Sequence, residues 1–259
     1  MVTQPIAGDA TPDLFSDLDA KSTALLLDVD GTIIDIGPTP NEVHVSDALC
    51  DSLERLLAET GGALALVSGR PIRDLDRLFA PLVLPAIGGH GAEMRVRGKI
   101  EQTAKQLPAG LREWLASAAT TGSGIVAEDK DYSFALHFRG APQQEDRLRQ
   151  LIDEGCRNFP AEPIEVLMGK AMIEVKRPGI SKGVAVRALL THAPFSGRMP
   201  VFIGDDVTDE SVFAILPELG GRGYSVSRRF DGVAGVFESP MQVRHALQRL
   251  AAKGQGATS

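Results

Sequence analysis

The stretch that most constrains this chain is Leu25-Leu26-Leu27-Asp28-Val29-Asp30-Gly31-Thr32. An apolar run that ends in two aspartates one residue apart reads as a buried strand of a parallel sheet. The acidic pair then falls where strand becomes loop. In open α/β sheets, ligands bind just outside the carboxyl ends of the strands. Two carboxylates held there are expensive unless something cationic neutralises them. A divalent metal is the simplest such cation, and a carboxylate beside it can also serve as a nucleophile.

The flanking pattern supports that placement. After a Gly/Pro loop at 36–41, Ser46 is a candidate N-cap, and Leu49, Leu53, Leu56 and Leu57 recur at helical spacing up to Thr60. Residues 63–67 read as a second strand ending in Ser68-Gly69-Arg70. Pro71 suits the first turn of another helix, with Ile72, Leu75, Leu78 and Phe79 on one face, and 82–87 reads as a third strand. This alternation predicts a doubly wound parallel sheet, a Rossmann-like α/β core. Gly88-Gly89-His90-Gly91 breaks the rhythm, and Arg97-Gly98 reads as the turn of a hairpin.

From about Leu107 the pattern changes. A helix marked by Leu111, Trp114, Leu115 and Ala118 precedes strands at 125–128 and 133–138. A second helix, opened by Pro142 and striped by Leu148, Leu151 and Ile152, precedes strands at 164–168 and 171–175 around Gly169-Lys170. Helix–strand–strand twice over predicts an inserted α+β domain at 105–178: a four-stranded sheet covered by two helices. The catalytic core is then 21–104 plus 179–253, with hinges near 103–108 and 177–180. A helix over 181–192, a strand at 199–203, strands at 221–226 and 233–237 and a last helix capped by Ser239 complete the core. Residues 1–20 read as a flexible lead-in with a short helix around 14–18, and 254–259 as a disordered tail.

Composition excludes several classes. A net charge of -7 and a pI near 5.3 argue against a nucleic-acid binder, though not against a local basic pocket for an anion. No apolar run approaches a membrane span, and the first twenty residues lack the pattern of a signal peptide. Cys50 and Cys156 are too far apart in sequence for a disulfide framework or zinc spacing and read as buried free thiols. A cytoplasmic setting is the expectation.

Three strand ends carry the unusual residues: Asp28/Asp30, Ser68/Arg70 and Asp205/Asp206/Asp209. A parallel sheet brings all three to one edge. Oxygen donors of this kind favour Mg²⁺ over zinc, and a metal held there can bridge to a phosphate. Singly, each residue has a plainer explanation: Asp30 or Asp209 as a helix N-cap, Ser68 as a turn residue, Lys182 as a solvated helix residue.

Taken together, Asp28-Val29-Asp30-Gly31-Thr32, Ser68-Gly69-Arg70, Lys182 and Gly204-Asp205-Asp206-Val207-Thr208-Asp209 resemble the four motifs of the haloacid dehalogenase-like phosphohydrolases, in the right order. The resemblance implies that Asp28 is the nucleophile and Asp30 the general acid and base. It implies that Mg²⁺ is held by Asp28, the main-chain carbonyl of Asp30 and Asp205, supported by Asp206 or Asp209. Ser68 and Lys182 would then neutralise the phosphoryl group, with Thr32, Gly69 and Arg70 among the substrate-binding positions.

The inserted domain resembles the C2-type caps of sugar phosphatases. Gly88-Gly89-His90-Gly91-Ala92-Glu93, Glu128-Asp129-Lys130, His137-Phe138-Arg139 and Gly169-Lys170 followed by Glu174 are similar to those of the trehalose-6-phosphate phosphatases. That resemblance implies that Glu128, Lys130 and Glu174 bind the distal glucose; His90 is a candidate substrate contact or a support for its own loop, Arg139 a candidate contact to phosphate or sugar, and His137 reads as structural. At 259 residues the chain is expected to act as a stand-alone, monomeric phosphatase on a sugar phosphate made by a separate trehalose-6-phosphate synthase. Alternatives are a phosphatase for sucrose phosphate or mannosylglycerate phosphate on the same architecture, a mutase, or a non-catalytic phosphosugar-binding regulatory domain.

Overall fold

The computed structural model describes residue 15 and residues 17–37, 43–160, 163–169 and 171–253. The chain begins its regular structure with β1 (Thr23–Leu27), α1 (Asp47–Glu59), β2 (Leu64–Val67), α2 (Ile72–Leu78) and β3 (Ala86–Gly88). A hairpin of β4 (Glu93–Val96) and β5 (Lys99–Gln102) follows, turned by Arg97 and Gly98 at φ 51° and 74°. Then come α3 (Ala109–Ala116), β6 (Val126–Asp129), β7 (Ser133–His137), α4 (Glu145–Asn158), β8 (Glu165–Gly169) and β9 (Met172–Lys176). The remainder is α5 (Lys182–Leu189), β10 (Met199–Gly204), α6 (Glu210–Phe213), β11 (Arg222–Val226), β12 (Gly235–Phe237) and α7 (Pro240–Lys253).

The large sheet has the order β12-β11-β10-β1-β2-β3-β4-β5. Its first six strands are parallel, and the β4–β5 hairpin adds two antiparallel strands at one edge. The doubly wound parallel core is therefore observed, extended into a mixed sheet. Because side chains alternate along a strand, β1 serves both faces. Leu25 and Leu27 pack with Leu49, Leu53 and Leu56 of α1 and Leu247 of α7, while Ala24 and Leu26 pack with Val186 and Leu189 of α5 and Phe213 of α6. Covered on both faces, β1 is wholly buried, which is why its sequence reads as a continuous apolar run.

The second sheet, β6-β7-β9-β8, is antiparallel. Phe134, Leu136, Ile173 and Val175 point to one face and pack under Leu111 and Leu115 of α3 and Leu148 and Ile152 of α4. The other face carries the cross-strand row Glu128, Ala135, Glu174 and Leu167. This is the twice-repeated helix–strand–strand unit, a C2-type cap inserted after the core hairpin. Its two connections touch: Arg177 Nη2 donates to the Gln106 carbonyl at 2.8 Å. Asp131, at the β6–β7 turn, receives Arg112 of α3 at 3.0 Å and is also paired with Arg73 of α2, so an ion pair joins cap to core.

Several expectations change. Phe15 is fully buried, with Tyr224 and Phe237 at ring-centroid distances of 5.4 and 5.7 Å, so the lead-in is anchored at that point. Phe15 and Asp17 form turns, not helix, and the remainder of 1–16 lies outside the described residues. The third strand is shorter than 82–87: Pro85 has no N–H to donate, although its carbonyl still accepts from Leu66 of β2 at 3.0 Å, and regular pairing starts at Ala86. The thiols Cys50 and Cys156 are free but half-buried. The tail 254–259 and Lys170 lie outside the described residues. No helix among the described residues is long and apolar enough to cross a membrane.

Candidate active site

Asp28 is the first residue beyond β1, with its N–H on the Ile203 carbonyl of β10 at 2.9 Å. The strand pairing thus fixes its backbone, and its side chain is only 4% exposed. One carboxylate oxygen, Oδ1, accepts from Lys182 Nζ at 2.7 Å, and the other from the Thr32 hydroxyl at 2.9 Å. Lys182 is the first residue of α5, whose N-cap Ser181 accepts from the Val184 N–H. The Lys182 ammonium also donates to Asp209 Oδ1 at 2.7 Å.

Asp209 is fully buried, and its Oδ2 accepts from the N–H groups of Asp205 and Asp206 at 2.9 and 3.0 Å. That carboxylate builds the loop after β10 and aims Asp205 at Asp28. The Thr32 hydroxyl also lies 3.2 Å from Asp205 Oδ1. With one proton it can serve only one of the two carboxylates at a time. Thr32, expected to touch substrate, is instead completely buried between two acidic groups.

Asp28, Asp205 and Asp209 bring carboxylate oxygens within 4.8 Å of one another. Asp206 does not join them. Its side chain caps the Asp209 N–H in a reciprocal capping box, and it is 61% exposed. Three carboxylates around a single ammonium leave a net negative charge out of water. Burial pushes the Asp28 carboxyl well above its ordinary value, and Asp209 and Asp205 add to the effect against the pull of Lys182. Burial and Asp209 push Asp205 up to about 6. Burial works against the Lys182 charge, but Asp209 and Asp28 outweigh it and hold that ammonium above its usual range.

Asp30 lies past the end of β1, so strand alternation does not decide its direction. Arg70 grips it as a fork, Nε to Oδ2 at 2.7 Å and Nη2 to Oδ1 at 2.6 Å. The two aspartates therefore have separate cations, Lys182 for Asp28 and Arg70 for Asp30. The resemblance places Arg70 among the substrate-binding positions; here its fork closes on Asp30. Ser68, 1% exposed, follows β2, and its Oγ accepts from the Arg70 N–H at 3.1 Å. Its own hydrogen remains available to a ligand.

Two glycines are demanded by close approach. Gly31 has φ +79°, and a Cβ there would lie 2.2 Å from Asp205 Oδ2. Gly31→Ala must therefore displace Asp205 as well as strain the backbone. We expect it to lose most turnover and about 1–3 kcal/mol of stability, read by phosphate release and thermal denaturation. Wild-type values in both would show that the Asp205 position is not needed. At Gly69 a Cβ would lie 2.4 Å from the His90 Cε1, so this position, expected to bind substrate, makes room for an imidazole.

His90, at φ 57°, brings Nε2 to 3.4 Å from Glu174 Oε1 of the cap. Burial lowers its affinity for a proton, against the pull of Glu174, and Nδ1 makes no hydrogen bond to a described residue. Burial alone would raise the Glu174 carboxyl; His90, Lys130 at 3.7 Å and the Ser133 hydroxyl at 2.7 Å hold it below the carboxylate range. Lys130 also lies 3.5 Å from Glu128. Glu128, Lys130 and Glu174 are thus brought together, and Glu174 lines one cavity with His90 and Lys182. Arg139 is not: it is exposed beyond β7 and pairs with no described residue. Sequence reasoning missed Ser133, and it left His137 as structural although its Nε2 is 3.1 Å from Glu128 Oε2. The signal was present in the alternation of Ser133, Ala135 and His137 with Phe134, Leu136 and Phe138.

An acidic pair at the end of the central parallel strand beside a buried lysine suits chemistry on a phosphoryl group. A family model described as Trehalose-phosphatase matches residues 26–235. The trehalose-6-phosphate phosphatase of Escherichia coli (strain K12) is 37% identical over 258 residues, covering 96% of this chain and 94% of that one. A probable trehalose-phosphate phosphatase of Sinorhizobium fredii is 40% identical over 211 residues, covering 80% of this chain and 78% of that one. Among solved structures, a trehalose-6-phosphate phosphatase related protein superposes with a TM-score of 0.74 at 24% identity, over 91% of this chain and 99% of that one. The chain belongs to the trehalose-phosphatase family, and it is a phosphoric monoester hydrolase.

Proposed function

We propose that the chain hydrolyses trehalose 6-phosphate to trehalose and inorganic phosphate with Mg²⁺ as cofactor. The observation that supports this reading best is a single cavity lined by Lys182, which bridges Asp28 and Asp209, and by Glu174 of the charged cap row. A phosphoryl group suits the first end and sugar hydroxyls suit the second. The buried Nδ1 of His90, which makes no hydrogen bond to a described residue, fits the same reading, since buried polar atoms are normally satisfied and a sugar hydroxyl can do it.

In the first step a carboxylate oxygen of Asp28 attacks phosphorus. The ester P–O bond breaks, and the leaving sugar oxygen takes its proton from Asp30. In the second, water attacks the aspartyl phosphate, gives its proton to Asp30, and the bond to Asp28 breaks. Lys182 and the Ser68 hydroxyl neutralise charge on the phosphoryl oxygens. Arg70 holds the Asp30 carboxylate by two bonds in this structure, and one of them opens when Asp30 takes up the proton it delivers. The cap excludes water from the cleft.

The donor set fits a hard divalent cation: oxygen ligands only, and more negative charge than Lys182 answers. Asp28, Asp205 and the main-chain carbonyl of Asp30 would hold it, while Asp209, engaged by Lys182 and two N–H groups, positions Asp205. When bound it supplies a Lewis acid beside the phosphoryl group. Protons compete with metal for Asp205, whose carboxyl is pushed up to about 6. The Mg²⁺ concentration for half-maximal rate should therefore rise by about tenfold from pH 7 to pH 5. A flat Mg²⁺ requirement over that range would remove Asp205 from the ligand set.

The proposal is tested by phosphate release from trehalose 6-phosphate, sucrose phosphate and mannosylglycerate phosphate, with and without Mg²⁺. Preference for either of the last two would overturn the substrate. Release without Mg²⁺ after chelation would overturn the cofactor. Supply of the substrate by a separate synthase belongs to the same proposal.

A further inference from the structure

The cleft face of the cap carries one more side chain aimed at the sugar-binding row. On β6 and β7, Glu128 pairs with Ala135 and Val126 pairs with His137, so His137 lies one row further along the same face. The opposite face, with Phe134, Leu136 and Phe138, is packed into the cap core. His137 therefore contributes little to folding. Its side chain is 36% exposed, and its one hydrogen bond to a described residue joins Nε2 to Glu128 Oε2 at 3.1 Å.

A carboxylate has no proton to give, so the imidazole is the donor and Nε2 carries the hydrogen. Lys130 Nζ lies 3.5 Å from the same oxygen. Glu128 is thus held at Oε2 by two donors, and Oε1 makes no hydrogen bond to the described residues. Burial would raise the Glu128 carboxyl, but the His137 hydrogen bond and Lys130 bring it below its ordinary value, so it stands ready as an acceptor for hydroxyls.

We propose that His137 is a positioning residue for disaccharide recognition, holding the Glu128 side chain in the conformation that presents Oε1 to a sugar hydroxyl. This rests on the reading of Glu128 as a sugar ligand. A glutamate has several rotatable bonds, and ordering them before the substrate arrives removes an entropic penalty from binding. The contribution should appear in KM for the disaccharide phosphate and not in the phosphoryl-transfer step.

The test is steady-state kinetics on trehalose 6-phosphate and 4-nitrophenyl phosphate with His137→Phe, His137→Gln, Glu128→Ala and the double variant His137→Phe/Glu128→Ala. His137→Phe should raise KM for trehalose 6-phosphate about threefold to tenfold more than KM for 4-nitrophenyl phosphate. The amide of His137→Gln keeps a donor and should restore most of the difference. In the Glu128→Ala background, His137→Phe should add nothing, because the group it positions is gone. The proposal is overturned if Glu128→Ala raises KM for the disaccharide selectively and His137→Phe does not, or if the two effects are additive. If Glu128→Ala itself has no selective effect, the sugar-ligand reading of Glu128 falls, and the role of His137 falls with it.

Discussion

Asp28→Asn should abolish turnover while leaving the protein folded. An amide is a poor nucleophile, so the loss in kcat should reach at least about 10⁴-fold. The fold should survive for a reason visible in the site. Burial with Asp205 and Asp209 raises the Asp28 carboxyl well above its unfolded value. A carboxyl raised in this way binds its proton more tightly folded than unfolded, so stability falls as pH rises from the unfolded value through the folded one. Above that window the ionised Asp28 is a net burden on the folded state. An isosteric neutral amide removes the burden and still offers an oxygen to the Lys182 ammonium. Thermal denaturation near neutral pH should show a melting temperature equal to or above that of the wild type. Phosphate release at wild-type rates would sink the nucleophile assignment outright.

Lys182→Met should act in the opposite way, losing both activity and stability. Its ammonium lies 2.7 Å from Asp28 and from Asp209, and all three side chains are almost wholly buried. Removing the cation leaves two carboxylates with no counter-charge between them. Breaking a buried pair from one side costs about 3–5 kcal/mol, because the remaining charge is uncompensated. The rate should fall on the order of 10²–10³-fold through loss of charge on the phosphoryl oxygens. A second substitution separates the effects. Lys182→Met/Asp209→Asn removes one of the stranded charges and should recover a good part of the stability, a non-additive result for neighbours in one network. It should recover no activity, since the positive charge at the phosphoryl site is still missing. Denaturant unfolding and phosphate release on the same three proteins decide the matter. A single Lys182→Met variant as stable as wild type would mean that the buried pairing carries no weight.

The core and the cap were legible for a common reason. Strand β1 is covered on both faces, so its residues had to be apolar throughout, and the polar residues at its end had to be there for something other than packing. The cap strands are covered on one face, so they alternate. Asp28, Asp30, Ser68 and Asp205 stood out because each follows the end of an apolar strand, whereas Lys182, which alone reads as a solvated helix residue, stood out only through the family resemblance. The rest was hidden by the same local logic. Asp206 and Asp209 are both acidic and both follow β10. Only the turn geometry sends one to cap an N–H in solvent and the other to meet Lys182. Arg70 reads as a free cation beside a hydroxyl, yet its fork closes on Asp30, forty residues earlier. Phe15 sits in a polar, Pro- and Gly-containing lead-in, and nothing nearby announces that Tyr224 and Phe237 leave a space for it.

The sequence by itself determined the parallel core, the inserted cap and the set of groups available for phosphoryl chemistry. Burial pattern, turn residues and strand ends are local properties, written in neighbouring side chains. Tertiary structure alone decided which charge answers which. Asp28 and Lys182 are separated by 154 residues and meet at 2.7 Å. Electrostatic energy depends on distance and on exclusion of water, and neither quantity exists until both sheets and their helices have closed around the site.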